Sequence, residues 1–270
     1  MSDGLRTLTH GSGPTVLWIH GYTMDSTLWQ PLWDLLPGWR HLGVDLPGHG
    51  GSGPLAPGTT LPALADRIAA LARAERAEHW AALSFGSTVA LQMAMDHPDA
   101  VRSLVLAAPT PAGGPPDPAA RRRYLELLML RRAGATAEQL AGLWMQSPPD
   151  IFRGTETHPE LRARLRTVVA RHTWAELGNG AMAALSAAQH TPDGLARITA
   201  NTLVLTGADD MPAFHANAAL LAEALPRCLT RIVPGGGHLP LLELPGAVAG
   251  DLTAHLAGLP LSNSLAEQAR

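Results

Sequence analysis

Short apolar runs alternating with helix-length amphipathic stretches are what most restrict the folds open to this chain. The runs fall at residues 15–19, 41–45, 79–83, 102–107, 202–206 and 229–233. Helical periodicity fills the intervals at 26–36, 61–78, 86–97, 213–225 and 241–256. A strand followed by a helix, repeated, predicts parallel strands joined by crossover helices in an α/β fold. A further run at 7–10, before the turn at 11–14, is a candidate extra strand. The rhythm stops between about 111 and 200. That interval opens on Pro111-Ala112-Gly113-Gly114-Pro115-Pro116, a turn-rich hinge, and continues as helical patterns at 118–132, 136–145, 159–175 and 180–188 with no strand among them. The expected organisation is a mostly parallel, doubly wound core formed by residues 1–110 and 201–270, carrying an inserted all-helical lid at 111–200.

Composition narrows the chemistry. Hydrophobic residues make up 46% of the 270, enough for a substantial core, and charged residues only 16%. A net charge of −3 and a pI near 6.4 do not suit a nucleic-acid partner. All 20 basic residues are arginine. Without lysine there is no Schiff base, no lysine-anchored pyridoxal phosphate and no P-loop lysine. Cys228 is the only cysteine, so an intrachain disulfide and a cysteine metal site are excluded, and it reads as a small buried filler. No cofactor or metal is expected. Met1-Ser2-Asp3-Gly4 lacks the basic-then-apolar pattern of a signal peptide, and no stretch reaches the roughly 20 apolar residues of a membrane span. The expectation is a cytoplasmic protein whose partner is a small molecule, with neither membrane nor nucleic acid involved. The Arg121–Arg123 run reads as a solvated face, and the chain from Pro260 onward as a polar, frayed end.

Trp80-Ala81-Ala82-Leu83-Ser84-Phe85-Gly86 passes directly from strand to helix. Small residues two before and two after a serine allow a turn sharp enough to expose its Oγ, the arrangement written G-x-S-x-G, with Ala82 in place of the first glycine. The same turn sets the Phe85 amide at a helix N-terminus, where a developing oxyanion would accept from it. A serine in this position is also an ordinary N-cap, so the segment alone does not decide. Downstream, Pro234-Gly235-Gly236-Gly237-His238-Leu239-Pro240 lies between the last strand and the last helix. A glycine-rich loop there can hold an imidazole over the sheet edge as a general base. Thr206-Gly207-Ala208-Asp209-Asp210 follows the penultimate strand and offers a carboxylate to orient that histidine. Asp210 has the better spacing, and Asp209 is the alternative. The loop one strand earlier, Ala107-Ala108-Pro109-Thr110, carries no carboxylate.

The order Ser84…Asp210…His238, with these contexts, resembles the α/β-hydrolase superfamily over nearly the whole chain. Leu17-Trp18-Ile19-His20-Gly21-Tyr22 resembles its strand-then-HG segment, and Asp45-Leu46-Pro47-Gly48-His49-Gly50-Gly51-Ser52 its DxPGxGxS loop. His238-Leu239-Pro240 through Glu243 and Pro245 resembles its HxPxxExP tail. The resemblance implies that the Tyr22 amide is the second oxyanion donor, that His20 stabilises the oxyanion loop, and that His49 is structural. It also implies a sheet of about seven strands, because only fourteen residues precede the strand leading to His20. Serine at 84 argues against the aspartate-nucleophile dehalogenases and epoxide hydrolases of this fold. Thr88 stands where the menaquinone-pathway lyases carry arginine. The expected function is a serine hydrolase of esters, thioesters or lactones acting through an acyl-enzyme. A lyase or cyclase using the same cavity, a carbon–carbon bond hydrolase, a perhydrolase and a binding protein are the alternatives. Met24, Trp144, Trp174, Phe214 and Leu239, with Met129 and Met145, are candidates to line an apolar pocket; each has an equally good reading as core packing.

Overall fold

Leu17 and Ile19 face one side of the sheet, Val16 and Trp18 the other, and all four are completely buried. A strand buried on both faces belongs in the middle of an α/β layer structure. The structure, a computed structural model, describes residues 4–261; the first three residues and the last nine of the expected frayed end lie outside the described residues.

The order begins β1 (Thr7–Gly11), β2 (Thr15–Ile19), a 3₁₀ turn at Ser26–Trp29, α1 (Gln30–Trp33), β3 (Arg40–Val44) and α2 (Leu61–Ala74). It continues with β4 (His79–Leu83), α3 (Phe85–Asp96), β5 (Ser103–Ala107), α4 (Pro118–Arg132), α5 (Ala137–Trp144) and α6 (Pro159–Ala170). Then come α7 (Ala175–Asn179), α8 (Ala181–Ser186), α9 (Pro192–Leu195), β6 (Asn201–Gly207), α10 (Pro212–Ala224), β7 (Cys228–Val233), α11 (Pro240–Glu243) and α12 (Pro245–Leu256). The seven strands form one sheet in the order β1-β3-β2-β4-β5-β6-β7. Every pair is parallel except β1 with β3. The run at 7–10 is therefore an antiparallel edge strand. Its closing residue must be glycine, because Gly11 has φ +75° and a Cβ there would lie 2.4 Å from the Trp39 carbonyl oxygen.

Two apolar clusters cover the faces. One joins Leu17, Ile19 and Trp80 to α2 and α3, including Ile68 and Val89. The other joins Trp18, Trp29 and Trp33 to Leu83, and runs without a break into Leu127, Leu140, Trp144 and Leu165 of the helical interval. Within this second cluster Trp18 Nε1–H donates to His41 Nδ1 at 3.1 Å, and His41 Nε2 donates to the Leu36 carbonyl at 3.1 Å. That pairing needs a neutral ring, and burial lowers the His41 pKa to about 4.

Between β5 and β6 the described residues hold helices and no strand, as the periodicity predicts. Several element limits differ from expectation for local reasons. The 26–36 stretch is a 3₁₀ turn plus one helical turn, and 241–256 breaks at Leu244, before Pro245. α6 stops at Ala170, short of Trp174, which is left-handed at φ +57°. A 3₁₀ segment, Asp150–Thr157, fills part of the interval where no element was expected. Arg121–Arg123 is not one solvated face. Arg123 is buried and donates to the carbonyls of Leu143, Gln146 and Pro148, satisfying the end of α5. Cys228 is half-buried rather than enclosed.

Candidate active site

The chain runs from β2 outward to β3, then returns to place β4 on the other side of β2. Loops leaving the carboxyl ends of β2 and β4 therefore diverge, and an open α/β sheet has its crevice at such a reversal. Ile19 pairs with Ala82, so Gly21 and Ser84, each two residues on, stand level. They are close enough that a Cβ on Gly21 would lie 3.4 Å from that of Ser84.

Ser84 has φ 52° and ψ −123°, a strained conformation for a residue with a side chain. The surroundings over-determine it. Its N–H donates to the Ala107 carbonyl at 2.9 Å. Its carbonyl accepts from Ser87 N–H at 2.7 Å, Ser87 Oγ at 2.6 Å and Thr110 Oγ1 at 2.7 Å. Gly86 permits the turn, since a Cβ there would strike the Ile19 and His20 carbonyl oxygens at 2.4 and 2.6 Å.

Asp210 stands three residues beyond β6 and His238 five beyond β7. Their loops touch at Gly207, where a Cβ would meet the Gly237 and Gly236 carbonyls at 2.1 and 2.2 Å. His238 Nδ1 lies 3.0 Å from Asp210 Oδ1 and 3.3 Å from Oδ2, and its Nε2 lies 2.9 Å from Ser84 Oγ. A carboxylate only accepts, so in the neutral ring Nδ1 carries the proton and Nε2 presents its lone pair to the serine hydroxyl. Asp210 Oδ1 also accepts from Met211 N–H at 2.7 Å, which fixes the carboxylate. Asp209, the alternative acid, is exposed. Phe214 covers the imidazole edge-on, with ring centroids 4.2 Å apart.

Of the two expected oxyanion donors, Tyr22 follows Gly21, which packs against Ser84, and Phe85 directly follows Ser84 at the start of α3. Among the described residues neither the Tyr22 nor the Phe85 N–H has a protein acceptor. His20 holds the first: Leu46 N–H donates to its Nε2 at 3.0 Å, so Nδ1–H donates to the Gly21 carbonyl at 2.8 Å. Burial lowers the His20 pKa and keeps the ring neutral. His49 Nδ1 lies 3.1 Å from the Pro47 carbonyl, and burial, with His172 and His20 nearby, holds its pKa well below the usual range. Asp45 is structural: it accepts from the Ser26 and Gly51 amides at 2.8 Å each, and burial works against those bonds without stopping them from lowering its pKa.

Phe85 and Phe214 line a cavity of about 360 Å³ with Thr88, Met182 and Leu185. Met24, Trp144, Trp174 and Leu239 lie in the core and do not line it, and Met129 is 70% exposed. Sequence reasoning missed Ser87 and Thr110, which brace the serine, and Glu243, which accepts from the amides on both sides of His238. Only Glu243 left a signal, in the tail pattern. No group of three or more His, Cys, Asp or Glu side chains among the described residues is arranged to hold a metal.

The sequence profile of the Alpha/beta hydrolase family matches residues 16–252. The pimeloyl-[acyl-carrier protein] methyl ester esterase of Xanthomonas campestris pv. campestris is 30% identical over 259 residues, covering 93% of this chain and 98% of that enzyme. A thermophilic esterase from Thermogutta terrifontis superposes with a TM-score of 0.76 at 26% identity, covering 94% of this chain and 93% of that one. The enol-lactonase of Burkholderia xenovorans LB400 shares the fold, with a TM-score of 0.78 at 20% identity over 94% of this chain and 96% of its own. With a seven-stranded sheet and a profile match spanning most of its length, this chain belongs to the α/β-hydrolase family and is an esterase-like enzyme.

Proposed function

We propose that the chain is a serine carboxylester hydrolase acting on small apolar esters, thioesters or lactones. Ser84 is the nucleophile, His238 the general base and acid, and Asp210 the orienting carboxylate. The observation that carries this reading is the 2.9 Å contact between Ser84 Oγ and His238 Nε2, backed by Asp210 on the far side of the ring. In the first half-reaction Nε2 takes the Ser84 proton as Oγ bonds to the acyl carbon. The carbonyl electrons move onto oxygen, which accepts from the Tyr22 and Phe85 amides. Collapse expels the alcohol or thiol, protonated by His238, and leaves an acyl-Ser84. Water, deprotonated by the same nitrogen, then attacks and releases the acid. Residues 111–200 act as the lid over this site. The cavity between Phe85 and Phe214 takes the apolar part of the substrate. The Xanthomonas relative acts on a methyl ester, which supports esters of small alcohols as the first substrates to try.

The test is turnover of p-nitrophenyl esters of two to eight carbons, together with labelling by a fluorophosphonate. Wild type should do both. Ser84→Ala and His238→Ala should each lower kcat on the order of 10⁴-fold, and Ser84→Ala should not label. Turnover that survives in Ser84→Ala would sink the acyl-enzyme reading and point to non-acyl chemistry in the same cavity.

A further inference from the structure

Beyond the three residues of the proposed triad, the loop after β2 is held from the opposite side by the helical interval. Tyr22 OH donates to Glu176 Oε1 at 2.5 Å, and His172 Nε2 donates to the same oxygen at 3.0 Å. Trp144 Nε1–H donates to Thr23 Oγ1 at 2.8 Å, and Thr23 Oγ1 donates to the Tyr22 carbonyl at 2.7 Å. The Tyr22 ring meets the Trp144 ring edge-on at 5.5 Å. Thr23 is left-handed at φ +62°, so the loop is strained where these bonds converge.

We propose that Glu176 and Trp144 are positioning residues for the oxyanion hole, setting the Tyr22 amide through its side chain and its carbonyl. This rests on the serine-hydrolase reading above. A trans peptide points its N–H opposite to its C=O, so whatever fixes the Gly21–Tyr22 peptide aims the Tyr22 N–H. His20 holds that peptide's carbonyl from the core side. On the other side of Tyr22, its side chain is tied directly to Glu176, and its own carbonyl is tied through the Thr23 hydroxyl to Trp144, both more than a hundred positions away. Glu176 is an unusual group to find there. It is 3% exposed, and its Oε2 has no hydrogen-bond partner among the described residues. A carboxylate so enclosed is costly, and simple packing would be served better by an apolar side chain. The pair stays in the form the geometry needs. Burial and Glu176 hold the Tyr22 hydroxyl well above its usual pKa, so it remains a donor. Burial opposes ionisation of Glu176, but the bonds from His172 and Tyr22 outweigh it and keep the carboxyl below its usual pKa.

An oxyanion exists only after attack, so loosening its donors lowers kcat and leaves substrate binding nearly intact. The experiment uses the full chain, p-nitrophenyl butyrate and an alkyl trifluoromethyl ketone, which forms a tetrahedral adduct. Tyr22→Phe, Trp144→Phe and Glu176→Leu should each lower kcat roughly 10- to 100-fold, or ~1.4–2.7 kcal/mol. KM should stay within about threefold, and the ketone should weaken by the same factor as kcat/KM. Glu176→Gln keeps an oxygen for Tyr22 and should recover most of the rate. Wild-type kcat in Tyr22→Phe and Trp144→Phe overturns the proposal, as does a loss in Glu176→Gln equal to that in Glu176→Leu. If Glu176→Leu does not fold, the two phenylalanine variants, which each lose one polar group and keep a ring, decide the matter. Ser84→Ala separates the two readings. An inactive Ser84→Ala beside a fully active Tyr22→Phe defeats only this inference, whereas an active Ser84→Ala defeats the reading beneath it.

Discussion

Glu243 brackets the proposed base. Its Oε2 accepts from Gly237 N–H at 2.5 Å and its Oε1 from Leu239 N–H at 3.1 Å, the amides on either side of His238. Burial raises its pKa, and those two amides pull the other way without cancelling the shift. Replacing it by alanine leaves two enclosed donors unpaired, at about 1–3 kcal/mol each, and frees the loop that aims the imidazole. Glu243→Ala is therefore expected to lower the urea-unfolding free energy by roughly 2–4 kcal/mol and kcat about tenfold or more. Glu243→Gln, which keeps one acceptor, should fall between. Unchanged kcat in the alanine variant would show that the loop holds His238 without help. The contrast with Ser84 and His238 shows which residues a sequence reveals. Those two announce themselves because their own neighbours, Ala82 and Gly86, or Gly235 to Gly237, make the turn that exposes them. Asp210 reads from its distance past Gly207, with Asp209 as its rival; in the structure Asp210 is buried beside His238 and Asp209 is exposed. Thr110, Trp144 and Glu176 were not legible in these roles, because each acts on a partner between 26 and 154 positions away.

The strands were readable because each is a buried apolar run, and parallel pairing buries both faces. Helix ends were less so. α6 was expected to continue to 175, but Trp174 takes a left-handed backbone and sends the chain into α7. No periodicity encodes that turn; tertiary packing of a fully buried Trp174 fixes it. α5 shows the opposite case, an element whose start is set locally. Thr136 Oγ1 accepts from Gln139 N–H at 3.3 Å, and Gln139 Oε1 accepts from Thr136 N–H at 2.9 Å, a reciprocal capping box. Thr136 is exposed and lies at the far end of the helix from Trp144. Thr136→Ala should cost about 1 kcal/mol and lower Tm by roughly 2–4 °C, with kcat within about twofold of wild type. A scanning-calorimetry trace that superposes on wild type would show that packing alone nucleates α5.

The whole molecule couples its stability to pH through histidines distributed over the fold. His20, His41, His49, His190 and His255 are all buried, and desolvation is the largest influence lowering each pKa, to about 4 for His41 and His190. They serve as neutral hydrogen-bonding groups, as His41 does between Trp18 and Leu36, and a proton would need a charge where no water reaches. In the unfolded chain the same rings titrate near the ordinary 6.5. As pH falls below that value the unfolded state binds protons that the folded state refuses. The stability these groups confer is thus complete above about 6.5 and is lost as pH falls through each lowered folded-state pKa, about 4 for His41 and His190, with a limiting slope of ~1.4 kcal/mol per pH unit for each group. Glu243 and Asp251 work in the other sense. Burial raises both, so the folded chain takes up their protons first and gains stability on acidification. The histidines outnumber them, and the expected result is a urea midpoint that drops steeply between pH 6.5 and pH 5 while changing little from pH 7 to pH 8. The proton uptake on unfolding at pH 5.5, read from the slope of unfolding free energy against pH, should exceed one per molecule. A midpoint that stays level or rises on acidification to pH 5 would mean that the buried rings accept protons in place, and the desolvation account of their shifts would have to be abandoned.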